Sequence, residues 1–238
     1  MPSSILTSKQ VALVSVFAAL QAVLSSLPYT ISIGVSGQIT LGVLGVPIIG
    51  ILLGPYLGGL AVLIGSTIGI FTNPGGAIFQ AFSVLPPTLG AVGAGFCMRK
   101  KSYVAGAIIL VSILVFYAHP YGREAFLYPW LHIIAMAATF LFSAITVRWH
   151  SMFSDVKKVG AIIPLFVFIG TLTDHISGSA LAIWYLNPIL TPEIWNLVMF
   201  VYPLERIAVV ILASLITVPL YYALQKAGLL SISGLKTP

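Results

Sequence analysis

TLGVLGVPIIGILLGPYLGGLAVLIGSTIGIFTNPGG, residues 40–76, is the stretch whose reading decides the fold. It is almost wholly apolar, yet Gly42, Gly45, Gly50, Gly54, Gly58, Gly59, Gly65 and Gly69 punctuate it. Gly50, Gly54 and Gly58 recur every fourth residue, as do Gly65 and Gly69, so on a helix each set lines one face. In lipid, apolar burial no longer drives helices together, and small-residue faces let backbones approach closely instead. Gly54-Pro55 falls where two hydrophobic runs meet and predicts a tight turn between two short membrane helices.

Composition agrees with that reading along the whole chain. The sequence is 59% hydrophobic and 7% charged, with a mean hydropathy of +1.08. Runs long enough to span the hydrocarbon core, about 30 Å thick, recur throughout. The runs are continuous rather than alternating, which argues against a barrel. We therefore expect an all-α polytopic membrane protein forming one integral membrane domain, residues 1–238. The lone Cys97 excludes an internal disulfide and thiolate metal clusters. With no charge-dense aqueous domain, the net charge of +6 concerns topology rather than nucleic acid.

Outward from the glycine-rich stretch, eight helices are expected. Helix 1 covers Ser8 to Leu27, preferred over a cleaved signal peptide because the n-region holds one Lys and no clear cleavage site follows. Residues 28–40 form a loop, and helices 2 and 3 occupy 41–53 and 56–72. Helix 4 runs over 77–98 with a break at Pro86-Pro87, and helix 5 over 103–118. A polar, aromatic loop follows, then helix 6 over 129–147. The hydrophilic connector 148–158 leads into helix 7, from near Val159 to Tyr185. Thr191-Pro192-Glu193 has the form of a helix start, and Pro203 is expected to divide an outer segment from helix 8.

Alternation of eight helices puts Lys9, Arg99, Lys100, Lys101, Arg148, Lys157, Lys158, Lys226 and Lys236 on one side, nine of the eleven Lys and Arg. By the positive-inside rule that side is cytoplasmic, and both termini with it.

The opening VALVSVFAALQAVLSSLP, the run LGVPIIGILLGPYLGGLAVLIGSTIG and a Gly/Ala-rich helix ending in RKK resemble the S component of energy-coupling-factor (ECF) transporters. The closing YPLERIAVVILASLITVPLYYALQKAG resembles that family's last helix. The family usually has six membrane helices, so the resemblance implies a six-helix core plus an extra hairpin between 102 and 158. It implies a substrate-binding subunit of the plasma membrane that captures a vitamin, vitamin precursor or metal ion from outside. It further implies a membrane coupling subunit and cytoplasmic ATPases as partners. A helix-1 motif of two alanines spaced by three residues docks on the coupling subunit, matching Ala18 and Ala22 here. The chain has no G-x-x-x-x-G-K-[ST], so no cofactor is expected in it and ATP would belong to the partners.

Polar and aromatic residues concentrate at the outer helix ends. Asn73, Gln80, His119, Arg123 and His132 are candidate substrate contacts, with Asp174, His175, Trp184, Asn187 and Trp195. Ionisable groups at membrane depth are costly and face a cavity or a partner. Aromatic walls with few polar groups suit a ring-bearing organic ligand, although Trp and Tyr also gather at interfaces as anchors. Gln38, Tyr117, Glu124, Trp130, Tyr185, Asn196 and Tyr202 share the same end. Glu205-Arg206 reads as a structural or snorkelling pair. Asp174 and His175 point about 100° apart on a helix, so a metal would need a third ligand that no local spacing supplies. An organic substrate is expected and no metal site. A secondary transporter working alone and a membrane-embedded enzyme are the alternatives. The first would want mid-membrane charges and an inverted repeat; for the second, no nucleophile elbow or H-E-x-x-H is present.

Overall fold

Helix α1 (Ser8–Ser26) begins at Thr7 because a capping box closes its first turn. Gln10 N–H donates to the Thr7 hydroxyl at 3.3 Å, and Thr7 N–H donates to Gln10 Oε1 at 2.9 Å. The computed structural model describes residues 6–27, 40–148 and 155–230. Among the residues singled out from sequence, Gln38 and Lys236 lie outside them.

Helix α2 (Gly42–Thr72) is interrupted at Gly54, where φ is 79° and ψ 178°. The Gln21 amide of α1 lies 3.3 Å from the Gly42 carbonyl and 3.5 Å from the Ser66 hydroxyl. On a straight helix those positions would be about 36 Å apart, so α2 folds back on itself as a hairpin. Its arms cover residues 42–53 and 55–72, and the turn falls at Gly54-Pro55 as the sequence suggests. Only glycine enters this positive-φ conformation without strain. A Cβ on Gly58 would sit 2.9 Å from the Gly50 Cα, so the arms touch backbone to backbone.

The segment after the hairpin differs from expectation. Two 3₁₀ turns, Pro74–Gly76 and Gln80–Val84, precede α3 (Leu85–Met98). Pro86-Pro87 therefore opens a helix rather than breaking one, since the first turn needs no intrahelical N–H donors. Helix α4 (Ser102–Ala118) follows directly. The loop expected next contains a short helix, α5 (Pro120–Glu124), because the His119 Nδ1 accepts the Tyr121 N–H at 3.2 Å and caps it.

Helix α6 (Trp130–Arg148) leads to α7 (Val156–Tyr185). The latter starts three residues before Val159, capped by Asp155 through Lys157 N–H at 2.8 Å. Helix α8 (Pro192–Lys226) begins at the expected Thr191-Pro192 but runs through Pro203 unbroken. One lost backbone bond is a smaller cost than exposing several unpaired carbonyls to lipid, so the helix continues past its prolines.

Five helical stretches are long and apolar enough to cross a membrane, namely Ser8–Ser26, Gly42–Thr72, Gln80–Met98, Val156–Tyr185 and Pro192–Lys226. Ser102–Ala118 and Trp130–Ile145 are shorter apolar helices. With the α2 hairpin counted as two arms and the five-residue α5 left aside, the described residues hold eight longer helical segments, the number expected from sequence. The chain is a multi-pass helical membrane protein. Lys9 Nζ donates to the Gly228 carbonyl at 2.6 Å, which puts the start of α1 beside the end of α8. Arg99 lies against Gly54 and over the Tyr56 ring, 5.3 Å from its centroid. The opposite end gathers Ser26 and Thr72, whose hydroxyls pair.

Close backbone contact holds the central helices. A Cβ on Gly50 would fall 2.2 Å from the Ala91 carbonyl, and one on Gly95 2.4 Å from the Pro55 nitrogen. We expect Gly50→Val to cost about 3 kcal/mol or more through overpacking against rigid backbone. Gly178→Ala, whose Cβ would meet nothing nearer than 3.7 Å, should change little. Thermal unfolding of both variants in detergent checks this, and equal midpoints would contradict the packing described.

Candidate functional site

The two arms of the α2 hairpin are unequal. The first begins at the level of Gln21, while the second continues to Thr72 beside Ser26. The difference is about six residues, or about 9 Å of helix. A cavity of about 420 Å³ occupies the same end of the bundle, away from Arg99–Lys101. Gln21, Gly42 and Val46 border it on one side, and Asn73, Ile78 and Phe79 on another. Asp174, His175 and Ser179 of α7, with Trp195, Tyr202 and the Glu205–Arg206 pair of α8, line it as well.

Of the residues proposed from sequence, Asn73, Asp174, His175 and Trp195 meet at this cavity. His132 stands one layer behind, with Nε2 2.9 Å from His175 Nδ1 and its ring stacked on Tyr202 at 5.1 Å. The remaining five are not among the lining residues. Gln80, Arg123 and Asn187 are exposed. His119 is buried against Trp184, ring centroids 4.9 Å apart. Trp184 is 53% exposed, and its indole N–H donates to the Val115 carbonyl at 3.0 Å.

Four lining residues were not among the substrate contacts expected from sequence. Gln21 is 1% exposed and its Nε2 bridges both hairpin arms, leaving Oε1 with no hydrogen-bond partner. A lone amide in an otherwise apolar membrane helix was the available signal. Glu205 and Arg206, read from sequence as a structural or snorkelling pair, are both buried and pair at 3.0 Å in the cavity wall. Tyr128 donates to or accepts from Ser179 at 2.8 Å and stacks near Tyr202 at 5.1 Å. Between Ser102 and Arg148 the only described lining residue is Tyr128, which precedes α6.

The polar groups around the cavity are incompletely satisfied. Gln21 Oε1, Asn73 Nδ2, Trp195 Nε1 and Arg206 Nε are buried without partners among the described residues. Each such group costs roughly 1–3 kcal/mol of desolvation when left unpaired. Four of them border one mostly apolar cavity of a volume that suits a small ligand. Among the described residues, no three His, Cys, Asp or Glu side chains gather to hold a metal ion.

The fold defines a multi-pass helical membrane protein with a cavity at one end of its bundle. Residues 5–120 match the family model described as ECF-type riboflavin transporter, S component. Over that stretch the chain is similar to the S components of ECF transporters, a family of transport subunits. The match ends where α4 does. An uncharacterized protein of Methanocaldococcus jannaschii is 34% identical over 156 residues, which cover 65% of this chain and 52% of that protein. The chain thus spans about half the length of the curated relative it matches. No solved structure matches it.

The buried pair generates a prediction that needs no ligand. Glu205→Gln leaves the Arg206 charge buried without its anion, and breaking such a pair costs about 3–5 kcal/mol. Thermal unfolding of the purified variant should show a clear drop in midpoint. An unchanged midpoint would mean the pair is solvated and not part of a closed cavity wall.

Proposed function

We propose that the protein is the substrate-binding subunit of an ECF-type importer, capturing a small organic micronutrient such as a vitamin or precursor from outside. The observation that carries this reading is the cavity with four unpartnered polar atoms, at the end of the bundle opposite the Arg99–Lys101 cluster. With that basic cluster cytoplasmic by the positive-inside rule, both ends of the chain lie inside and the cavity lies toward the outer face of the plasma membrane. Inward passage then requires a membrane coupling subunit and cytoplasmic ATPases. ATP is used by those partners and no cofactor resides in this chain.

Docking on the coupling subunit uses helix α1, but the face differs from the one first expected. Ala18 and Ala22 are buried within the chain, and a Cβ on Gly65 would sit 2.5 Å from the Ala18 carbonyl. The face of α1 left open carries Ala12, Ser15, Val16, Ala19, Leu20 and Val23. Its small residues fall at 12, 15 and 19, one helical face apart by three and four residues, which permits close approach of a second helix.

Two experiments test the proposal. Co-expression with a coupling subunit and its ATPases should yield a complex that retains a small organic molecule through gentle purification, identified by mass spectrometry. Uptake by the protein alone in liposomes would favour a secondary carrier instead. Ala19→Trp should prevent assembly while leaving the isolated subunit folded, because an indole cannot enter a small-residue helix contact. Ala18→Trp should fail earlier, as misfolded protein, since its face is already filled by α2. Normal assembly of Ala19→Trp would remove the open face of α1 from the docking surface.

A further inference from the structure

The charge inventory of the cavity is unbalanced, and the imbalance bears on the substrate. The lining contains two carboxylates, Asp174 and Glu205, and one guanidinium, Arg206. Arg206 Nη2 is held by Glu205 Oε1 at 3.0 Å while its Nε has no hydrogen-bond partner, so one guanidinium is shared between two carboxylates and the lining carries one negative charge in excess. Asp174 has neither a hydrogen bond nor an ion pair to any described side chain. The segment 28–39, which joins α1 to the hairpin, contains no Lys, Arg or His that could serve it. A carboxylate facing a low-dielectric cavity without a partner is costly, and the cost is removed by a cation.

The walls around that carboxylate favour the same sign. His175, adjacent to Asp174, packs on Tyr202 with ring centroids 4.7 Å apart. Tyr128 packs on Trp195 at 4.7 Å and on Tyr202 at 5.1 Å. These aromatic residues border the cavity, and ring faces attract cations and repel anions. The unpartnered donors Asn73 Nδ2, Trp195 Nε1 and Arg206 Nε then call for acceptors elsewhere on the ligand.

Resting on the reading of this cavity as a substrate site, we propose that the substrate is a monocation. It carries a protonated or quaternary nitrogen beside an aromatic ring, and that nitrogen is placed against Asp174. The cation completes the charge balance of the cavity. Hydroxyl, carbonyl or ring-nitrogen acceptors on the rest of the molecule meet Asn73 and Trp195.

The experiment is a binding titration on the full-length protein in nanodiscs, followed by tryptophan fluorescence. The probes are thiamine, which carries a quaternary ring nitrogen, and riboflavin, which is neutral. Thiamine is expected to bind at least tenfold more tightly than riboflavin. Asp174→Asn should erase that preference, while Asp174→Glu should keep it. Mass spectrometry of the molecule retained by the wild-type protein supplies a measurement independent of either variant's folding, and a cationic species is expected. Tighter binding of riboflavin, an undiminished preference in folded Asp174→Asn, or a neutral or anionic retained molecule would each overturn the inference about charge. Those outcomes leave the binding-subunit reading intact. Failure of both probes to bind, with no molecule retained and no assembly with coupling subunits, would overturn both together.

Discussion

Backbone meets backbone at the centre of this protein, and the rest depends on it. Gly50 lies on the Ala91 carbonyl, Gly58 on Gly50, and Gly95 on the Gly54-Pro55 turn. Lipid offers no hydrophobic gain for bringing helices together, so dispersion at close range must supply the attraction. Three helical segments can only reach that range where no Cβ intervenes. The hairpin is therefore tight enough to present both arms to one side of α1, and a single Gln21 amide reaches both.

That arrangement also explains how polar groups come to lie at membrane depth. Gln21 and the Glu205–Arg206 pair would be expelled from a uniformly apolar bundle. Here they border the void left above the shorter arm, where α7 and α8 bring Asp174, His175, Trp195 and Tyr202 to the same lining. The partners that these side chains lack are a property of the void rather than of any one helix. A bundle with arms of equal length would fill the space and leave the polar groups nowhere to face.

The sequence made some of this legible and hid the rest for physical reasons. Glycine spacing and Gly54-Pro55 announced the hairpin, because those signals are local. Thr191-Pro192 announced the start of α8 for the same reason. Pro86-Pro87 and Pro203 misled, since a proline can open a helix or be carried within one, and only its surroundings decide. Site residues divided along a similar line. Position near a helix end was readable, but which way a side chain faces around the helix was not. Asp174 and His175 therefore met the cavity, whereas Trp184 turned outward and Arg123, Gln80 and Asn187 stayed exposed. Gln21 and Ser66 are neighbours only because the chain folds back between them.

The unequal arms have a consequence for how such a protein could change its ligand. Cavity depth here is a difference between two helix lengths, and each residue added to or removed from the top of the first arm alters it by about 1.5 Å. The backbone contacts that join Gly50 to Ala91, Gly58 to Gly50 and Gly95 to Pro55 lie lower and are untouched by such an edit. Depth is thus adjustable in single-residue steps, independently of the joint that holds the bundle together. Lineages could resize the chamber through short insertions and deletions near residue 42, keeping the backbone joint around Gly50.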